Sequence, residues 1–331
     1  MLKSLGVAVE RINGEKFLKY AVENHILDRR KRIFSDSSYI YFPILENSIA
    51  RGLKVCEYNF QLRENLAFKE YLQEKYGERV ESLKWQRVGE SLIFSDISLI
   101  DREMAEDIVN KGFATSVLKI TGSVTGSERK PSLNVLYGTP SDTVHRENGI
   151  NFILNPEKIM ISKGNISERG IPFLKLLRGK TILDMFSGIG YFSLPMAAKM
   201  NAVELTCTDI NSTAIEYLHK SYMASKISTK LETLNIDCRL IPPERKYDII
   251  LMGNFKSINY FPSALSHIED RGQIILHYLS PTGTHSNHME LIMKSCRSMS
   301  FLFNLLETHR VKSYAPHLWH LSSLIEVTKS N

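Results

Sequence analysis

The spacing of apolar residues changes near residue 151. From there to residue 331, short apolar runs such as TILDMF, VELTCTDI and YDIILMG alternate with longer runs of helical periodicity such as STAIEYLHKSYMASK. Strands that are apolar on both faces and separated by helices are typical of a parallel sheet covered on both sides. Residues 151–331 are therefore predicted to form a doubly wound, Rossmann-like α/β domain.

Two smaller regions are predicted before this domain. In residues 1–77 the pattern is mostly helical, and Leu62 and Leu66 would share one face of a helix that ends near Gly77. In residues 78–150 the runs ESLIFSDISLI, TSVLKITG and LNVLYG are short and separated by Gly, Ser and Pro. We therefore expect a mostly helical segment followed by a small α+β region.

The composition limits the class of protein and its partners. Of the 331 residues, 43% are hydrophobic and 24% are charged, which is the composition of a globular protein. Lysine and arginine outnumber aspartate and glutamate by 42 to 36, and the resulting formal charge of +6 suits a polyanion such as nucleic acid. No apolar run approaches the ~20 residues that a membrane span needs. We expect a cytoplasmic monomer with no membrane contact.

The cysteines indicate a reducing compartment. Cys56, Cys207, Cys238 and Cys296 include no CxxC pair. The sequence therefore predicts neither a disulfide framework nor a metal site.

Candidate binding residues follow the first two strands of the predicted α/β domain. In such domains, ligands bind at the carboxyl ends of the strands. Asp184 closes the first strand, and Gly188 and Gly190 follow it. Glycines let the chain turn tightly and let a ligand approach the backbone. Asp209 ends the second strand, where its carboxylate could accept hydrogen bonds from both hydroxyls of a ribose.

The glycine spacing distinguishes between two nucleoside cofactors. Asp237 and Cys238 follow the third strand, at the height expected for an adenine edge. NAD and S-adenosylmethionine both fit this outline, but the dinucleotide pattern GxGxxG requires a third glycine where this chain has Ser193. An acid at Asp184 suits a cationic sulfonium instead. The residues favour S-adenosylmethionine as co-substrate, with NAD or no ligand as alternatives.

The upstream segment KIMISKGNISERG contains polar residues that packing alone does not explain. Asn165 and Glu168 have the N-x-x-E spacing of a helix capping box. Ser162 and Arg169 are surplus to that motif. A hydroxyl and a guanidinium beside a helix start could hold a carboxylate, such as that of a methionine moiety.

Three segments carry a resemblance to a known family. DTVHRENGINFILNPEKIMISKGNISERG, ILDMFSGIGYFSLP and VKSYAPHLWHLSSLIEV together resemble the tRNA wybutosine-synthesising protein 2 family. These are aminocarboxypropyltransferases, related to the tRNA guanosine N1-methyltransferases that act beside the anticodon. The resemblance runs from about residue 89 to the C-terminus, and we expect the α+β region, residues 78–150, to contact the tRNA. It implies contacts with S-adenosylmethionine from Ser162, Arg169, Asp209, Asp237 and Cys238.

The chain departs from the family pattern at several positions. The family commonly has glutamate where this chain has Asp209, and asparagine where it has Cys238. After the fourth strand this chain reads Gly253-Asn254-Phe255, without the usual proline. A glycine where the methyltransferases have asparagine favours the aminocarboxypropyl branch.

The resemblance also implies a reaction. The 3-amino-3-carboxypropyl group of S-adenosylmethionine would move to a wyosine-type base, 4-demethylwyosine, beside the anticodon of tRNA-Phe, and methylthioadenosine would be released. Arg146 and Asn254 are candidate catalytic residues, and no general base is identified. The alternatives are tRNA guanosine N1-methylation and a non-catalytic binding subunit.

Overall fold

The computed structural model describes residues 2–28, 31–45, 52–61, 68–80, 82–95, 99–122, 131–160 and 165–330. The chain forms two compact units, Met1–Leu83 and Lys84–Asn331. It therefore divides once, after Leu83, and the predicted boundary after residue 150 falls within the second unit.

The N-terminal unit contains, in chain order, β1 (Leu2–Glu10), α1 (Gly14–Glu23), β2 (Phe34–Ser35), β3 (Tyr39–Pro43), β4 (Val55–Phe60) and α2 (Phe68–Tyr76). The strands form one antiparallel sheet in the order β2-β3-β1-β4. Helix α1 packs on it because Phe17 and Ala21 join Val7, Val9 and Phe42 in one buried cluster.

The prediction that residues 1–77 are mostly helical is wrong. Strand β1 buries Val7 and Val9, two residues apart, which is the period of a strand. Its partner β4 lies some fifty residues further along the chain, so local periodicity gives no sign of the pairing. Helix α2 ends at Tyr76, beside the predicted end at Gly77. Leu62 and Leu66 lie outside the described residues.

The second unit begins with a small α+β region, as predicted. Its elements are β5 (Trp85–Val88), β6 (Ser91–Phe94), α3 (Arg102–Asn110), β7 (Ser116–Ile120), β8 (Leu133–Gly138), β9 (Thr143–Glu147) and β10 (Ile150–Leu154). Four strands form a mixed sheet in the order β5-β6-β7-β8. Helix α3 connects the parallel pair β6 and β7, and Asp101 caps it by accepting the Met104 N–H at 2.8 Å.

The hairpin of β9 and β10 is separate from that sheet and joins the following domain. Helix α6 (Ser212–Ser225) lies against β10. The Ser225 hydroxyl accepts the Asn151 N–H, and the Ser221 hydroxyl accepts the Ile153 N–H, each at 2.9 Å. These bonds fix the hairpin relative to the large sheet.

The rest of the unit is the predicted doubly wound α/β domain, and that prediction is confirmed. It contains α4 (Ile166–Arg169), β11 (Thr181–Asp184), α5 (Ser193–Met200), β12 (Glu204–Thr208), the helix α6 already described, β13 (Lys230–Leu234), β14 (Tyr247–Met252), α7 (Phe261–His267), β15 (Ile268–Pro281), α8 (His285–Ser298), β16 (Phe301–Ala315) and β17 (Leu318–Lys329). The seven strands follow the order β13-β12-β11-β14-β15-β17-β16, and β17 is antiparallel to both of its neighbours.

Both faces of this sheet are buried. The successive residues Ile182 and Leu183 enter different apolar clusters, one on each side. Because β12 and β14 flank β11 as parallel neighbours, the winding reverses at β11. The residues that follow strands β11 to β14 therefore emerge at one edge, where doubly wound folds bind ligands.

All four cysteines are free thiols. Cys56 on β4 is half-buried, whereas Cys207, Cys238 and Cys296 are buried. Burial raises the pKa of Cys238 to about 12 and that of Cys296 to about 11. It also raises the pKa of Cys207 well above its usual range.

Two further findings concern the described part of the chain. None of its helices has the length and apolar character needed to cross a bilayer. Within the same residues, no group of three or more His, Cys, Asp or Glu side chains is arranged to hold a metal ion.

Candidate active site

Asp184 lies at the end of β11 and is only 2% exposed. One carboxylate oxygen, Oδ1, accepts the Phe186 N–H at 3.2 Å. Burial raises the pKa of this carboxyl to about 7, and the nearby charge of Asp209 adds to the rise. A cation placed beside Asp184 would stabilise its ionised form.

The glycine loop after Asp184 is tied to the second strand. Gly188 has φ +52° and donates its N–H to Asp209 Oδ2 at 2.8 Å. A Cβ at Gly188 would meet no atom within 4 Å, so the backbone is open to a ligand at this point. Gly190 has φ +85°, and a Cβ there would lie 2.6 Å from the side chain of Leu194. One glycine exposes the backbone, and the other permits the turn.

Asp209 connects three parts of the site. Besides the Gly188 N–H, it accepts the Asn211 N–H through Oδ1 at 2.9 Å. Its backbone carbonyl accepts the side-chain amide of Asn235, which follows β13, at 2.8 Å. A carboxylate has about four lone-pair positions, so Asp209 can still accept hydroxyl protons from a ligand.

The two residues predicted beside the adenine differ in what they offer. Asp237 accepts the backbone N–H and the Nε–H of Arg239 through Oδ1, both at 2.9 Å, and the Nη2–H through Oδ2 at 2.6 Å. These bonds hold the pKa of Asp237 at about 2. The Cys238 thiol is instead buried in the apolar cluster that contains Leu183 and Ile250. The backbone N–H of Cys238 is therefore the group that we expect to contact a ligand.

Arg169 is a buried cation beside the glycine loop. It is 1% exposed, and its Nε lies 2.7 Å from Glu147 Oε1 in an ion pair. The guanidinium stands 4.5 Å over the ring of Tyr191, which directly follows Gly190. None of its three nitrogens makes a hydrogen bond of normal geometry with the described residues. Because Nη1 and Nη2 have no hydrogen-bond partner among the described residues, they could hold a planar anion such as a carboxylate.

Asn165 and Glu168 do not form the predicted capping box, because Asn165 Oδ1 is buried without a hydrogen bond in the described structure. Glu168 is 7% exposed, and its Oε1 lies 3.7 Å from Nδ1 of His309. Burial raises the pKa of Glu168 above its usual value. Ser162 lies outside the described residues.

The two candidate catalytic residues lie on different elements. Arg146 is exposed on β9, outside the seven-stranded sheet, while the next residue, Glu147, points inward to Arg169. Asn254 follows β14, and its Oδ1 accepts the Lys256 N–H at 2.9 Å. Glu147 is not among the site residues predicted from the sequence, although the alternation of exposed and less exposed residues along β9 indicates that it faces inward.

The strand order, the acids at the ends of β11 and β12, and the glycine loop define a class I S-adenosylmethionine-dependent transferase fold. Comparison with known proteins narrows this class. Residues 143–301 match the TRM5/TYW2 methyltransferase domain, and residues 6–49 match the tRNA methyltransferase 5 N-terminal domain. The chain belongs to the TRM5/TYW2 family, which confirms the resemblance found in the sequence.

Relatives from both branches of the family match the chain. It is 30% identical to the tRNA(Phe) (4-demethylwyosine(37)-C(7)) aminocarboxypropyltransferase of Pyrococcus horikoshii over 257 residues, covering 75% of this chain and 90% of that protein. It is 25% identical to the tRNA (guanine(37)-N(1))-methyltransferase Trm5b of Methanocaldococcus jannaschii over 344 residues, covering 98% and 99%. The structure of P. horikoshii TYW2 in complex with MeSAdo has a TM-score of 0.68 and 27% identity, covering 80% of this chain and 100% of that one.

Proposed function

We propose that this protein transfers the 3-amino-3-carboxypropyl group of S-adenosylmethionine to 4-demethylwyosine beside the anticodon of tRNA-Phe, and that it does so in the cytoplasm as a monomer. Gly253 is the observation that favours transfer of the aminocarboxypropyl group over transfer of the methyl group. A Cβ there would lie 3.5 Å from the Phe192 ring, an ordinary contact, so packing does not require glycine. Glycine instead leaves space between the end of β14 and the glycine loop.

The residues at the carboxyl ends of the parallel strands can contact each part of S-adenosylmethionine. Asp209 accepts the ribose hydroxyls, and Asp237 with the backbone of Cys238 meets the adenine edge. Arg169, together with Ser162, holds the methionine carboxylate. Asp184 supplies negative charge near the sulfonium.

Bound in this way, S-adenosylmethionine supplies an activated sulfonium whose three carbons are all open to attack. With both ends of the cofactor held, the chain decides which carbon faces the acceptor. The ring carbon C7 of the base attacks Cγ, the Cγ–S bond breaks, and methylthioadenosine leaves with the electron pair. The proton on C7 is then released to solvent. Positioning supplies most of the catalysis, because the leaving group is already activated.

Transfer assays with S-adenosylmethionine labelled either in its carboxyl group or in its methyl group test this proposal. Incubated with tRNA-Phe that carries 4-demethylwyosine, the protein should transfer label from carboxyl-labelled S-adenosylmethionine and release methylthioadenosine. Methyl-labelled cofactor should leave the tRNA unlabelled. Incorporation of the methyl label with accumulation of S-adenosylhomocysteine would overturn the aminocarboxypropyl assignment, and absence of any transfer would favour a non-catalytic binding subunit.

The second candidate is tRNA guanosine N1-methylation. The match of residues 6–49 to the tRNA methyltransferase 5 N-terminal domain favours it, as does the full-length match to Trm5b. The assay should therefore include tRNA-Phe with unmodified guanosine at the acceptor position. Methyl transfer to that substrate alone would assign the chain to the methyltransferase branch.

Asp209→Ala should weaken S-adenosylmethionine binding at least tenfold, because hydrogen bonds to a charged acceptor contribute about 1.5–3 kcal/mol. Titration calorimetry measures the change. Asp209→Glu keeps the charged acceptor that the family commonly has, and it should retain most of the affinity. Equal affinity of the alanine variant and the wild type would remove Asp209 from the site.

A further inference from the structure

Five rings form a continuous row beside the loop that follows β14. We call Phe192, His277, His320, Phe255 and Tyr314 the aromatic row. The ring centroids of Phe192 and His277 are 4.9 Å apart, and His277 Nδ1 lies 3.0 Å from His320 Nε2 in a hydrogen bond. Phe255 meets His320 at 4.8 Å and Tyr314 at 5.3 Å, both edge to face.

The middle of the aromatic row is buried and its far end is exposed. His277 and His320 are 4% and 2% exposed, whereas Tyr314 is 52% exposed. Burial and, to a smaller extent, the neighbouring His320 lower the pKa of His277 to about 3. The His277 imidazole is therefore uncharged at neutral pH, and it lies between the Phe192 ring and His320 in the aromatic row.

The near end of the aromatic row lies at the cofactor loop. Phe192 follows the glycine loop, and its ring is the group that a Cβ on Gly253 would contact at 3.5 Å. Phe255 is two residues beyond Gly253 and supports Tyr314 at the surface. The aromatic row thus runs from Phe192, beside the glycine loop, to the exposed ring of Tyr314, next to the residues that follow β14.

We propose that the exposed end of the aromatic row, Tyr314 supported by Phe255, is a stacking surface for the acceptor base of the RNA. This inference rests on the proposed function, since it takes a planar heteroaromatic base as the acceptor. A base in an anticodon loop must leave its neighbours to reach the cofactor, and it loses stacking when it does so. Stacking on a tyrosine ring replaces part of that loss.

Fluorescence of 2-aminopurine tests the stacking without requiring transfer. A tRNA-Phe transcript with 2-aminopurine at the acceptor position is mixed with protein and methylthioadenosine. Wild-type protein and Tyr314→Phe, which keeps the ring, should quench the probe to a similar extent. Tyr314→Leu should quench it much less. In transfer assays Tyr314→Leu should raise KM for tRNA about tenfold, which is within the range measured for single base–aromatic contacts.

Failure of the stacking surface and failure of the proposed function give different results in these assays. If Tyr314→Leu quenches the probe and transfers as the wild type does, the stacking surface is wrong. If Tyr314→Leu also loses affinity for methylthioadenosine, the residue acts on the site's structure and the inference is overturned. If wild-type protein transfers no aminocarboxypropyl group but quenching still depends on the ring, the proposed function fails and the stacking surface stands.

Discussion

Replacing Arg169 with methionine should reduce the affinity for S-adenosylmethionine at least a hundredfold, and the affinity for methylthioadenosine much less. Methylthioadenosine lacks the carboxylate that the buried guanidinium is proposed to hold. A buried charge-assisted pair is strong because few water molecules compete for it. Calorimetric titration of the wild type and the variant with each ligand gives the loss of affinity for S-adenosylmethionine and for methylthioadenosine. Equal losses for the two ligands would remove Arg169 from the carboxylate site.

The same variant should also be less stable, and a second substitution separates the two effects. Arg169→Met removes the guanidinium from Glu147, whose side chain is 10% exposed and keeps only its contacts with His145 and Asn148 among the described residues. Breaking a buried pair on one side costs about 3–5 kcal/mol. Adding Glu147→Gln removes the uncompensated charge and should recover much of the stability. It should not restore S-adenosylmethionine binding, because the carboxylate still lacks its partner.

Asp184→Asn should change how stability depends on pH. The pKa of Asp184 rises from an ordinary 3.8 to about 7 in the folded protein. Between these values the folded protein keeps a proton that the unfolded chain has released, so the free energy of unfolding falls as pH rises from about 4 to about 7. Above pH 7 the folded protein bears the full cost of the ionised, buried Asp184 carboxylate. At about 1.4 kcal/mol per tenfold change in acidity, the wild type should lose up to roughly 4 kcal/mol relative to Asp184→Asn across this interval.

Urea denaturation of both ligand-free proteins at pH 4.5, 6 and 8 measures this difference. The ligands provide an independent test of the same carboxyl. Binding of the cationic S-adenosylmethionine should strengthen between pH 6 and 8 more than binding of the uncharged thioether S-adenosylhomocysteine. Asp184→Asn should abolish that contrast. Parallel pH profiles for the wild type and Asp184→Asn would show that Asp184 does not titrate in this range.

The α/β domain could be predicted because its signals are local. Strands β11, β12 and β14 are apolar runs that end at, or are followed by, an acid or a glycine, and consecutive units lie close together in the sequence. The hydrogen bond between Gly188 and Asp209 follows from that topology, since β11 and β12 are neighbours. The N-terminal sheet was missed because β1 pairs with β4 across half of that unit.

The side chains of the candidate site were harder to predict than its backbone. Position in the sequence places Cys238 after β13, but packing turns its thiol into the apolar cluster. The partner of Arg169 lies on β9, 22 residues before it, and only the docking of the hairpin on α6 brings Glu147 to the guanidinium. Such contacts depend on tertiary packing, which the sequence pattern does not encode locally.

The burial of three cysteines makes the chain suitable for site-selective labelling. Cys207, Cys238 and Cys296 are buried and have raised pKa values, so almost none of their thiol is present as the reactive thiolate at neutral pH. Cys56 is half-buried in the N-terminal unit. A maleimide dye should therefore react first with Cys56. This gives a fluorescent label, without any substitution, on the unit that matches the tRNA methyltransferase 5 N-terminal domain.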